Sequence, residues 1–178
     1  MTVERRFLTD ELRAKGRRLE GYAAVFGAEA RIGGGVVETI APGAFRATLT
    51  ANPDILALVD HDAARVLART RSGTLRLAED TRGLAFDLDV PDTQAGRDVL
   101  ALAERGDLGG MSFGFTARDE ARDGDRRELR AVDLFEVSVV AAFPAYASTV
   151  VTARSQANPL PPGLAHAARV LQILELSR

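Results

Sequence analysis

The sequence predicts a mainly β domain with flanking helices, an α+β arrangement built on antiparallel strands. Three observations predict it. Short runs with period-two alternation recur through most of the chain, turn-forming clusters such as "RSG", "EDTRG" and "RDGD" separate them, and only brief stretches between them keep a helical period. A chain of 178 residues with 46% hydrophobic content fills one core and is too short for two ordinary domains, so one domain with appendages is expected.

Residues 1 to 16 are polar and lack a sustained period, which predicts a flexible N-terminal arm or a lead-in to the first strand. In "RRLEGYAAVFG", Leu19, Gly21, Ala23 and Val25 alternate with their neighbours as in a half-buried strand. The triple glycine of "ARIGGGVVETIAPGAF" ends one strand and "VVETI" makes another, after which Pro42 suits the first turn of a short helix through "GAFRATLTA". "DILALVDHD" is a short apolar strand with a polar end, and "RVLARTRSGTLRLAEDTRGLAFDLDVP" breaks into three further strand-like runs.

A helix follows in "DTQAGRDVLALAERGDLGG". Ala95, Val99, Leu102 and Ala103 share one face, Asp92 or Thr93 caps the start, and Gly106 ends it. "GMSFGFTARDE" and "RRELRAVDLFEVSVVAAF" are strands joined by a turn at "RDGD", and "FPAYASTVV" leads to a last strand. "SQANPLPPG" has linker composition and precedes "LAHAARVLQILELSR", where Leu164, Ala168, Leu171 and Leu174 mark a helical stripe. The expected organisation is an arm at 1–16, a domain at 17–154, and a proline-containing linker with an amphipathic helix at 155–178, around an antiparallel core of about seven or eight strands.

Composition excludes several classes of function. A formal net charge of −2 favours neither nucleic acid nor a membrane surface as partner. With no cysteine there is no disulfide, no thiolate zinc site and no cysteine nucleophile, so covalent catalysis would fall to an oxygen nucleophile or to Lys15. Apolar runs such as "VSVVAAF" are far below a membrane span, and the charged N-terminus is unlike a signal peptide, so a protein working in the cytoplasm is expected. No cofactor is implied.

Three residues carry the chemical possibilities. His61 sits where "ILALV" gives way to "DHDAAR", so a strand holds its backbone while the ring can face a cleft; His166, beyond the proline linker, reads as a surface residue. Asp60 and Asp62 add carboxylates, but neighbouring strand residues point to opposite faces and no second histidine lies at usable spacing, so no metal site is expected. Ser112, between Met111 and Phe113 with glycines on both sides, is either a notch for a neighbouring backbone or a nucleophile whose substrate needs close approach. Glu136 stands in the apolar run "DLFEVSVV", where an unpaired carboxylate is costly; an imidazole N–H or a buried arginine would partner it. Hydroxyl, imidazole and carboxylate suit one mechanism, although spacing alone does not show that they meet.

The blocks "GYAAVF", "ETIAPGAF", "LVDHD", "RTRSGTLRLAED", "TQAGRDV", "RGDLGGMSFGF", "LFEVSVV" and "PAYASTVV" occur in an order that resembles the prohead proteases of tailed bacteriophages, over roughly residues 19–152. These capsid-maturation serine proteases are related to the herpesvirus assemblins. The resemblance implies an antiparallel β-barrel core of the assemblin type. It implies His61 as general base, Ser112 as nucleophile and Glu136 as the acidic third member. Asp60 stands where the family often has asparagine and Ala68 where it often has glycine, and Asp60 is a competing carboxylate near the ring.

By resemblance the chain is a serine endopeptidase of phage or phage-like head maturation. The implied substrates are the N-terminal scaffold segment of the major capsid protein and the protease itself, cut inside the assembling prohead in the host cytoplasm. A homo-oligomer, a dimer by analogy with the herpesvirus relatives, is implied, and the loop from Phe143 to Ala147 is a candidate oxyanion site. The arm and the C-terminal tail are candidate self-cleavage or docking segments. The alternative from another class is a catalytically inactive β-barrel assembly factor that binds capsid or scaffold protein; an esterase on a similar barrel is a further one.

Overall fold

The computed structural model describes residues 3–8, 12–51 and 54–141. Its elements in chain order are β1 (Glu4–Leu8), β2 (Leu12–Lys15), β3 (Arg18–Val25), β4 (Ala30–Arg31), β5 (Val37–Ile40), α1 (Arg46–Ala51), β6 (Leu56–Val59), β7 (Asp62–Arg69), β8 (Leu75–Glu79), β9 (Gly83–Asp89), α2 (Gln94–Arg105), β10 (Gly110–Asp123) and β11 (Arg126–Val140). A mainly β fold with flanking helices is what the alternation predicted.

The elements follow from the sequence signals. Thr93 caps α2 by accepting the Gly96 N–H at 3.2 Å, and Gly106 ends it with φ 70°. The "RDGD" turn closes the β10–β11 hairpin, with Asp123 opposite Arg126 and Gly124 at φ 59°. A second sheet, in the order β2-β3-β9-β8, sets two antiparallel hairpins side by side through β3 and β9, and its inner face is set by Leu19, Leu75, Leu84 and Leu88. Those side chains join Phe45, Phe113 and Phe115 in one buried core, in which Phe45 meets Phe113 edge-on at 5.6 Å and Phe113 stacks on Phe115 at 5.2 Å.

Three expectations change. The first sixteen residues, read as a flexible arm, carry β1 and β2; β1 pairs antiparallel with β10 and β2 with β3. Their alternation is of charged residues, Glu4 and Arg6 facing ion-pair partners, so an apolar period could not announce it. The sheets, expected as a closed barrel, are open among the described residues: the larger runs β1-β10-β11-β5-β4, with the β6–β7 hairpin joined to β11.

The third change is that β11 takes parallel partners. β5 pairs with Arg126–Leu129 and β6 with Glu136–Val139, because the chain passes from β5 to β6 through α1 and returns in the same direction. Between these two contacts the α1 region supplies acceptors: Val132 N–H donates to the Ala44 carbonyl at 3.0 Å and Leu134 N–H to Thr48 Oγ1 at 3.2 Å. The expected last strand and C-terminal helix lie outside the described residues.

Candidate active site

The site begins with the pleat of β10. Met111, Phe113 and Phe115 point into the core and are at most 2% exposed, which turns Ser112 and Gly114 to the opposite face. On β11 a bulge does the sorting. Gly114 lies opposite Glu136 but Phe115 lies opposite Leu134, so Phe135 is the extra residue and is left 45% exposed. Leu134 and Val137 can then both enter the core, while Glu136 and Ser138 join Ser112 and Gly114 on the other face. Strict alternation would have put Leu134 and Glu136 together. This is how a carboxylate leaves the core in an otherwise apolar run.

His61 arrives on the β6–β7 hairpin. Val59 pairs with Asp62, so Asp60 and His61 form a two-residue turn, and both have positive φ, 51° and 61°. Left-handed backbone at non-glycine residues is costly, about 1–2 kcal/mol each, and here it is held from outside. Asp60 N–H donates to the Val139 carbonyl at 3.0 Å, and Asp60 Oδ1 accepts the Ala141 N–H at 2.9 Å. The turn is thereby fastened to the end of β11, the strand that carries Glu136.

The ring and the carboxylate meet: His61 Nδ1 lies 2.7 Å from Glu136 Oε1, with both side chains largely buried. An ionised carboxylate can only accept, so Nδ1 carries the hydrogen and the lone pair of the neutral ring is at Nε2. The other carboxylate oxygen, Oε2, accepts Ser138 Oγ–H at 2.5 Å, and Arg5 Nε stands 3.7 Å from Oε1. Of the two partners foreseen for Glu136 the imidazole is the one in contact; the nearby arginine, Arg5, is exposed, not the buried one expected. Asp60, the competing carboxylate, instead serves the Ala141 N–H and, at 3.4 Å, Arg65.

Ser112 shares the face but not yet the bond. It lies directly opposite Ser138 in the β10–β11 ladder, which sets the two Cβ atoms about 4.5–5.5 Å apart. Its Oγ donates to the Arg6 carbonyl at 2.7 Å, it is 1% exposed, and among the described residues it has no hydrogen bond to the His61 ring. Nucleophile–base bonds are often absent before substrate binds.

A family profile described as caudovirus prohead serine protease matches residues 5–160. The chain belongs to the caudovirus prohead serine protease family. No curated protein and no solved structure matches it. Members of this family are serine proteases that act on capsid proteins during phage head maturation. The match starts at Arg5, within β1, so the segment first read as an arm is part of the family domain.

Sequence reasoning missed Ser138, Gly114 and the arginines of β1. A signal existed for the first two: in "MSFGF" and "EVS" the small or polar residues recur at i and i+2, which places them on one strand face. Gly114 leaves the space the carboxylate fills, since a Cβ there would lie 2.5 Å from Glu136 Oε1. The candidate oxyanion loop, 143–147, lies outside the described residues.

Proposed function

We propose that Ser112, His61 and Glu136 form the triad of a serine endopeptidase that cuts the N-terminal scaffold segment of the major capsid protein, and its own chain, within the assembling prohead in the host cytoplasm. The observation that carries this reading is the 2.7 Å contact between His61 Nδ1 and Glu136 Oε1, made across a strained turn on the face that also bears Ser112. Glu136 holds the imidazole in the tautomer that leaves Nε2 basic and offsets the charge of the imidazolium.

In the reaction Ser112 Oγ attacks the scissile carbonyl carbon and its proton passes to His61 Nε2. The C–N bond breaks as that proton goes to the leaving amine. Water then enters by the same route, its proton taken by His61 and its oxygen displacing Ser112 from the acyl-enzyme. A prohead interior presents substrate at a high effective concentration, so modest intrinsic activity suffices; a homo-oligomer, a dimer by analogy with the herpesvirus relatives, belongs to this reading.

The burial of Ser112 favours a second reading, an assembly factor that binds capsid or scaffold protein without cutting it. Co-expression with the major capsid protein encoded beside it separates the two. With the wild type, the capsid protein shortens from its N-terminus, read by intact mass, and Ser112→Ala abolishes the cut, a loss on the order of 10⁴-fold or more in rate. Full-length capsid protein in assembled particles with both chains would instead establish the assembly factor.

A further inference from the structure

The strand that bears Ser112 is covered along its outer edge by the chain's own N-terminus. β1 runs antiparallel to β10 from Glu4 opposite Phe115 to Leu8 opposite Met111. Ser112 Oγ–H donates to the Arg6 carbonyl at 2.7 Å. A carbonyl against the nucleophile is the position that a scissile bond must take, and an extended peptide added to a sheet edge is a common way of binding one. The hydroxyl addresses the carbonyl oxygen as a hydrogen-bond donor, which is a held pose and not an attacking one.

The side chain of the same residue is held with equal definition. Arg6 spans a carboxylate that is 2% exposed: its Nε bonds Glu38 Oε1 and its Nη2 bonds Oε2 at 2.7 Å. Arg127 Nη1 serves Oε2 at 2.9 Å, and among the described residues Oε1 is bonded by Arg6. Glu4 fastens the strand from its other end by bonding Arg6 at 2.7 Å and Arg127 at 2.5 and 2.8 Å. Were β1 to leave, one oxygen of a buried carboxylate would lose its partner, a costly state that an incoming guanidinium relieves.

We infer that β1 occupies the substrate groove, and that the groove takes an extended peptide with arginine at the residue whose carbonyl meets Ser112, Glu38 being the side chain that selects it. The inference rests on Ser112 as nucleophile. Opening the groove requires β1 to peel from β10, so the free chain is held in a low-activity state until a substrate strand or the assembling shell displaces it.

The test uses full-length protein and two peptidyl diphenyl phosphonates that differ only in an arginine-like or leucine-like side chain at the reactive position. Ser112 Oγ forms the O–P bond, and phenol leaves with the serine proton. Glu4→Gln loosens β1 and leaves Ser112 and Glu38 in place; Phe7→Ala is the second loosening variant should the first fail to fold, with thermal melting as the check. The expected result is labelling of Ser112 by the arginine probe about tenfold faster in the loosened chain than in the wild type, and about tenfold faster than by the leucine probe. Adding Glu38→Gln brings the two probes within about twofold.

Equal labelling of wild type and loosened chain, equal rates for the two probes, or no labelling of Ser112 would overturn the inference. Capsid-protein cleavage that still depends on Ser112 would show that the inference alone had failed. Its absence as well would take Ser112 down with it.

Discussion

Replacing Gly114 by alanine tests the carboxylate without substituting any of the three candidate catalytic residues. The added Cβ would stand 2.5 Å from Glu136 Oε1 and 3.0 Å from both Cδ and Cγ. An unstrained carbon–oxygen contact is about 3.4 Å or more, so the carboxylate must retreat by roughly 1 Å. Glu136 is a flexible side chain and Gly114 has no left-handed backbone to strain, so the fold can absorb that retreat. The His61 contact at 2.7 Å cannot, because the ring is fixed by its turn. Losing a charge-assisted bond of this kind costs about 1.5 kcal/mol, or roughly 3–6 °C in Tm for a chain of this size. A misplacement of about 1 Å at a catalytic group costs about 100-fold in rate. The assay is the initial rate of capsid-protein shortening by purified enzyme, beside a melting curve and the downfield proton resonance expected of Nδ1–H. The expected variant is folded, about 100-fold slower and without that resonance. A folded Gly114→Ala that processes capsid protein within threefold of wild type would refute Glu136 as the group that orients His61.

Three further outcomes follow from the same geometry. Ser138→Ala removes the 2.5 Å bond to Oε2, and kcat is expected to fall about tenfold with KM within twofold; a higher KM at unchanged kcat would place Ser138 in substrate binding instead. Asp60→Asn keeps both the acceptor for Ala141 N–H and the tolerance of φ 51°, so steady-state activity and Tm stay near wild type, whereas Asp60→Ala loses both and is destabilised by about 2 kcal/mol; urea melts that put the two variants level would show that the turn is not held through this residue. The Arg127 guanidinium, opposed by burial and joined by Arg6, holds the Glu4 carboxyl down to about 2 against an ordinary 4.5. A carboxyl with a lowered folded value stabilises above its unfolded value and loses that contribution as pH falls toward the folded one. The Tm gap between wild type and Glu4→Gln is therefore full at pH 6, shrinks below 4.5 and closes near 2; a gap unchanged at pH 2 would mean that the ion pairs do not anchor β1.

The sequence singled out His61 at the polar end of an apolar strand, Ser112 as a small residue among glycines and Glu136 as a carboxylate in an apolar run, and the structure brings His61 and Glu136 into contact. Helix α2 was legible through its caps and the second sheet through its turns, whereas the helix expected from Pro42 begins only at Arg46. What was not legible depends on partners distant in sequence. No local pattern says that β11 would take two parallel neighbours along one edge, since that follows from the route through α1. The N-terminal strand escaped because its alternating residues are ionic: Glu4 and Arg6 pass for a solvated arm until Glu38 and Arg127 are placed beside them.

The two irregularities of the larger sheet have a common consequence. A regular β11 would bury Glu136 beside Leu134, and a regular continuation of β6 would carry the ring past the carboxylate. The bulge at Phe135 turns Glu136 out, and the left-handed turn at Asp60 and His61 brings the ring back over it. Each departure is unfavourable taken alone, and each is held by bonds to the same strand, β11, through the Val139 carbonyl, the Ala141 N–H and Ser138. The ring and the carboxylate therefore move together with β11 as one unit. Ser112 belongs to the neighbouring strand, and its hydroxyl is committed to β1. The Ser112 hydroxyl is freed for the base only when β1, held by its ladder to β10 and by the ion pairs of Glu4 and Arg6, leaves the sheet edge. Any treatment that frees β1 raises activity while leaving it dependent on His61: Glu4→Gln is expected to cut faster than wild type and Glu4→Gln with His61→Ala not at all, and residual cutting by the double variant would refute His61 as the base.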